Sequence, residues 1–86
     1  MNFVETSRFR KAYKGLTPEA RERLKEALIK LSQDIRYPAL QVKKIKGTPD
    51  IWEARVSLDY RMTFQRVENY VILRNVGHHD PTLKRP

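Results

Sequence analysis

Residues 51–65 constrain the fold more than any other part of the chain. On both sides of Ser57-Leu58-Asp59, apolar and polar side chains alternate. Alternation with a period of two marks a half-buried β-strand, and a three-residue interruption between two such runs reads as a hairpin loop. Setting Val56 opposite Tyr60 pairs Arg55 with Arg61, Ala54 with Met62, Glu53 with Thr63 and Trp52 with Phe64. One face then carries Trp52, Ala54, Val56, Tyr60, Met62 and Phe64, a core surface. The other carries Glu53, Arg55, Arg61, Thr63 and Gln65. A slip of one residue would drive both arginines into the core, so the register is well specified.

The segments before this hairpin follow a different period. Residues 2–5 are short and apolar at Phe3 and Val4, an N-terminal strand. Thr6 or Ser7 can cap a helix, after which Phe9, Ala12, Tyr13 and Leu16 recur at helical spacing. Gly15 ends that helix. Thr17-Pro18-Glu19 starts a second one, with a cap, a proline at the first helical position and an acid in the first turn. Ala20, Leu24, Ala27, Leu28 and Leu31 form its apolar stripe. Tyr37-Pro38 breaks the helical pattern. Residues 40–46, with Lys43, Lys44 and Lys46 interleaved among Leu40, Val42 and Ile45, read as a basic strand, and Gly47-Thr48-Pro49-Asp50 as a turn. Residues 70–76 complete the strands, and a polar tail follows His78-His79-Asp80-Pro81. The order β-α-α-β-β-β-β predicts a single α+β domain over residues 1–86: a twisted antiparallel sheet with a helical hairpin packed on one face.

Composition narrows the partners. The 86 residues hold 18 Lys and Arg against 10 Asp and Glu, a net charge of +8, and such a field attracts polyanions. There is no cysteine, which excludes disulfide scaffolds and thiol chemistry and suits a reducing cytoplasm. No apolar run is long enough to span a bilayer, and the first residues lack the pattern of a secretory signal.

Arg55 and Arg61, directly opposed on the polar face, repel each other unless something compensates. Glu53 could do so on a solvated sheet. Alternatively the two guanidinium forks grip a phosphate, with Lys43, Lys44 and Lys46 adding charge for a nucleic-acid backbone. His78 and His79 are the only histidines. An imidazole holds or releases a proton near neutrality, and the returning last strand would bring His79 toward the arginines. Metal binding by His78, His79 and Asp80 is the rival possibility, but neighbours in an extended chain point apart and no further His or Cys completes a ligand set. Cations around a phosphate with one imidazole suit RNA cleavage without metal or cofactor. A base takes the 2′-OH proton, the oxygen attacks phosphorus, arginine stabilises the developing charge and an acid protonates the leaving 5′-oxygen.

The sequence resembles RelE/ParE-type toxins of type II toxin–antitoxin modules. The pieces that carry the resemblance are Phe3-Val4-Glu5-Thr6, the helical pair, Lys43-Lys44-Ile45-Lys46-Gly47, residues 50–56, Asp59-Tyr60-Arg61-Met62-Thr63-Phe64 and residues 72–80. Their order and spacing cover nearly the whole chain. The resemblance implies an endoribonuclease that cuts mRNA, commonly on the ribosome, and is held inactive by a cognate antitoxin. It implies catalytic roles for Arg61 and His79, a cationic role for Arg55, an acid at Asp59 and a site position near Glu53. Lys43, Lys44, Lys46 and the additional imidazole of His78 would serve RNA binding. Leu83 stands near a position that is aromatic in several members. Asp59 could instead cap the hairpin turn. The same resemblance also admits a DNA gyrase inhibitor acting by protein contact, and the charge alone admits a non-catalytic nucleic-acid-binding module.

Overall fold

The chain caps its first two helices with threonine. In the computed structural model, which describes residues 2–86, Thr6 Oγ1 accepts a hydrogen bond from the Phe9 amide at 3.0 Å and Thr17 Oγ1 accepts one from the Ala20 amide at 3.1 Å. These satisfy N–H groups that have no partner inside the first helical turn. After strand β1 (Asn2–Glu5), helix α1 runs over Ser7–Lys14 and helix α2 over Pro18–Gln33. Ala20, Leu24, Ala27 and Leu31 of α2 are buried. They meet Phe9 and the sheet residues Ala54, Met62, Phe64, Val71, Leu73 and Val76 in one core.

The sheet has five strands in the order β1-β5-β4-β3-β2, with β2 at Lys43–Lys44, β3 at Ile51–Arg55, β4 at Tyr60–Val67 and β5 at Tyr70–His78. The central register is the one expected from alternation: Arg55 opposes Arg61, Ala54 opposes Met62, Glu53 opposes Thr63 and Trp52 opposes Phe64. Three features differ from the sequence reading. First, the sheet is mixed and not wholly antiparallel, because β1 pairs with β5 in parallel, Phe3 opposite Val71 and Val4 opposite Ile72. The helical hairpin carries the chain over the sheet, and the β3-β4-β5 meander returns it beside β1 in the same direction. Thr6 locks this pairing by donating from Oγ1 to the Leu73 carbonyl at 2.9 Å. Second, the basic strand is shorter than residues 40–46. Pro38–Leu40 form a single 3₁₀ turn, and Gln41 is left-handed at φ 46°, so extended pairing begins only at Lys43.

Third, the tail is structured. His79–Lys84 form a short helix, α3, which packs on β4 and β5. Gly77 permits this, since a Cβ there would lie 2.8 Å from Thr82 Oγ1. Beyond α3 the Pro86 carbonyl accepts hydrogen bonds from Thr63 Oγ1 at 2.9 Å and Arg74 Nε at 3.2 Å. The Arg85 carbonyl accepts from Asn75 Nδ2 at 3.2 Å and from Arg8 Nη2. Arg74 reaches this surface because β5 carries an extra residue at the Thr63/Phe64 irregularity, where Thr63 opposes Asn75 and Phe64 opposes Leu73.

Candidate functional site

Ser57-Leu58-Asp59, the loop between β3 and β4, gathers the site. Its backbone carbonyls point at two of the groups singled out from sequence. Arg61 Nη1 donates to the Ser57 carbonyl at 2.9 Å, the Tyr60 carbonyl at 3.0 Å and the Leu58 carbonyl at 3.3 Å. The His79 amide donates to the Asp59 carbonyl at 2.8 Å. Consecutive Cα atoms are only ~3.8 Å apart, so a guanidinium and the start of the imidazole-bearing helix are tethered to one short stretch of backbone. The ladder agrees: Tyr60 opposes His78 and Arg61 opposes Gly77. With Nη1 held by carbonyls, Nε and Nη2 are the Arg61 donors left for an anion.

His79 has a partner of its own. Its Nδ1 lies 2.7 Å from Asp80 Oδ1. The hydrogen bond, and then the charge of the ring, hold the Asp80 carboxyl below its ordinary value, with Lys84 adding to the effect and partial desolvation opposing it. A carboxylate at Nδ1 fixes a proton on that nitrogen and leaves Nε2 for chemistry. The His79 side chain is about half exposed, at 48%, open to a large substrate.

The other expected residues divide by face. Arg55 sits opposite Arg61, half-buried. Glu53 is only 7% exposed, between Lys43 on one neighbouring strand and Thr63 on the other. Among the described residues the ion pairs are Lys25–Glu22 and His79–Asp80, so Glu53 does not neutralise the opposed arginines. Asp59 joins the site through its backbone carbonyl. Lys43, Lys44 and Lys46 are all exposed. Lys43 shares the face of Glu53, whereas Lys44 opposes Trp52 on the helix side. His78 also belongs to the helix side: its ring lies 4.5 Å from the Tyr60 ring, centroid to centroid. The structure therefore does not bring His78 or Lys44 to the arginine face, because strand alternation sends them the other way. Leu83 is half-buried in α3. From sequence Asp80 enters only as a candidate metal ligand with His78 and His79; the structure makes it the partner of the His79 ring.

No family model and no curated protein matches the sequence. Solved structures do match. A chain of the intact E. coli RelBE toxin–antitoxin complex is 26% identical, with a TM-score of 0.72 over 92% of this chain and 96% of that one. The YoeB/ParE toxin from Agrobacterium tumefaciens superposes with a TM-score of 0.76 at 13% identity, over 92% of this chain and 99% of that one. A chain of the RelB-RelE antitoxin–toxin complex from Methanococcus jannaschii gives 0.71 at 24% identity, over 91% and 89%. This chain has the RelE/ParE toxin fold. Within that fold its five strands form one sheet around one core. Among the described residues, no helix is long and apolar enough to cross a membrane, and no three His, Cys, Asp or Glu side chains come together as metal ligands.

Proposed function

We propose that the chain is the toxin of a toxin–antitoxin pair, a metal-independent endoribonuclease that cuts mRNA on the ribosome in the cytoplasm. The observation that supports this best is the tethering of Arg61 and His79 to adjacent carbonyls of one loop. In the reaction, His79 Nε2 accepts the proton of a ribose 2′-OH. The freed oxygen attacks the neighbouring phosphorus, the bond from phosphorus to the 5′-oxygen breaks, and that oxygen takes a proton from water, the hydroxide left behind removing the proton held by His79. A 2′,3′-cyclic phosphate remains. Arg61, through Nε and Nη2, binds the charge that builds on the phosphoryl oxygens, and Arg55 adds a second cation. Asp80 positions the imidazole. Glu53 and Asp59 shape the site, one buried beside the arginines and one holding the start of α3. Lys43, Lys44 and Lys46 attract the strand at longer range.

The partner proposed for the off state is a cognate antitoxin. RelBE-type neighbours are complexes of toxin with antitoxin, and a +8 chain attracts an acidic, partly disordered segment that folds on contact.

Inducible expression of the wild type beside His79→Ala and Arg61→Ala, with mapping of transcript ends, tests the reading. Removing a proton-transfer group lowers cleavage by roughly 10²–10⁴-fold, and cleavage by wild type persists in excess EDTA. Cut transcripts in the His79→Ala strain at near wild-type levels would remove His79 from the mechanism. Intact transcripts with broken DNA in the wild-type strain would instead indicate gyrase poisoning.

A further inference from the structure

On the helix side of the sheet, beyond the end of α2, lies a cleft of about 420 Å³ lined by Arg36, Tyr37, Gln41, Trp52 and Arg66. It is remote from the Arg61–His79 pair. Arg66 and Arg61 point to opposite sides of β4, five residues or about 17 Å apart along the strand. The aromatic surface is open: Tyr37 is 38% exposed and Trp52 is partly exposed. Trp52 Nε1 donates to Asp50 Oδ1 at 3.2 Å, which pins the indole at its edge. Three cations from separate elements surround the rings. Arg36 follows α2, Lys44 of β2 opposes Trp52, and Arg66 stands near the end of β4. All three are exposed, and among the described residues none is ion-paired with a carboxylate. No acid lines the cleft. Gln41 holds left-handed backbone at φ 46° and ψ 48°, uncommon for a residue other than glycine, and such strain concentrates where ligands are held.

We infer that this cleft binds an unpaired base of single-stranded RNA, stacked on Tyr37 and Trp52, with the flanking phosphates held by Arg36, Lys44 and Arg66. Every base has a π-face, so aromatic side chains take it whatever the sequence, while cations on either side track the backbone. Guanidinium forks suit phosphate oxygens. Lys30 Nζ lies 5.4 Å from the Tyr37 ring centroid, so the base stacks on the other face of that ring. The Gln41 amide, with both donors and an acceptor, meets the base edge. Three cations and no lining acid favour a polyanion over an apolar peptide. The site lies on the opposite side of the sheet from His79 and requires no reaction there, so it stands apart from the proposed cleavage.

A short 2′-O-methyl oligoribonucleotide tests it, since a strand without free 2′-OH groups survives any attack by that oxygen. Trp52 is the one tryptophan of the chain, so its emission reports this cleft. Titrating the strand into the full chain is expected to quench that emission, and the midpoint gives the affinity of the cleft. The anisotropy of an end label on the strand reports binding anywhere on the chain. Tyr37→Ala is expected to weaken the quenching midpoint by roughly 5–150-fold, the loss of one stacked base. Arg36→Ala with Arg66→Ala is expected to lower the slope of log affinity against log salt by about 1.4, the loss of two phosphate contacts. Lys11→Ala, on the exposed side of α1, retains the quenching. The same strand paired with its complement is expected to leave the emission unchanged, because its bases are already stacked. An unchanged midpoint in Tyr37→Ala, with a native circular dichroism spectrum, overturns the inference. So does binding of the strand without quenching, which puts the strand elsewhere. Equal quenching by the duplex overturns it too, since charge alone would then make the contact. His79→Ala keeps the quenching, so a failure of the cleavage mechanism and a failure of this site give different results.

Discussion

The two faces of the sheet are both covered, but by different means. On one side, α1 and α2 bury Met62, Phe64, Val71 and Leu73 in a contiguous apolar core. On the other, α3 and the residues after it bury Thr63 at 0% exposure and Thr82 at 3%, and the contacts are hydrogen bonds from side chains to the Pro86 and Arg85 carbonyls. The first cover is held by area removed from water. The second is held by polar bonds, each of modest net value. The polar cover leaves the His79 ring half in solvent, as the proposed cleavage would need. The apolar face and the face proposed for catalysis are thus two sides of the same strands.

The largest expected effect lies on the apolar side. Phe64 is fully buried, and Phe64→Ala removes its transfer energy and leaves a cavity, a loss of about 3–5 kcal/mol. Urea unfolding measures it. A loss below roughly 1 kcal/mol would mean that this face does not carry the fold, and the contrast between the two covers would fail.

The next effect concerns the polar cover. Gly77→Ala places a methyl 2.8 Å from Thr82 Oγ1, and Thr82 is buried. Alanine would otherwise favour a strand over glycine by roughly 0.5–1 kcal/mol, but the clash costs about 1–3 kcal/mol. The net result is an α3 lifted from β5, seen as faster amide exchange over residues 79–84 with β3 and β4 unchanged. Adding Thr82→Ala to the same chain removes the obstructing hydroxyl and restores protection. If protection in α3 does not change in Gly77→Ala, close approach at this glycine is not what seats the helix.

These two sites also mark how far the sequence could be read. The pairing of Arg55 with Arg61 was legible because only one register keeps both guanidinium groups out of the core. The helical hairpin was legible from its caps and its stripe. The direction of β1 was not, since four residues can announce a strand without naming its neighbour. Nor was α3: six residues containing a proline carry no periodic stripe, and what seats the helix is the close approach of Gly77 to Thr82, five residues apart. The proximity of His79 to Arg61 followed from the order of the strands. That Arg61 anchors itself on its own hairpin carbonyls did not, because backbone acceptors leave no trace in residue types. That His78 sits on the helix side, beside Tyr60, was implicit in strand alternation, because Tyr60 and His78 are paired at the end of β5.

The smallest effect sharpens the comparison at its most exposed point. The Asp80 carboxyl is pulled below 3.8, first by its hydrogen bond to His79 and then by the charge of that ring. A carboxyl lowered on folding contributes stability above its unfolded value, and the contribution disappears as pH falls through the lowered one. Asp80 is largely in solvent, 81% exposed at the side chain, so water and salt screen the pair. Unfolding curves as pH falls from above 3.8 through the lowered value should therefore scarcely register it, although the carboxyl carbon itself will. A carbon NMR titration of Asp80 should give a midpoint below the ordinary value in the wild type and a midpoint shifted back toward 3.8 in His79→Ala. Coincident midpoints would show that the ring does not hold the carboxylate. Asp80 would then lose its positioning role, and the choice of Nε2 as the reacting nitrogen would lose its structural basis. A shifted midpoint with unchanged stability is the outcome that fits so exposed a contact: it orients the His79 ring while adding almost nothing to the fold.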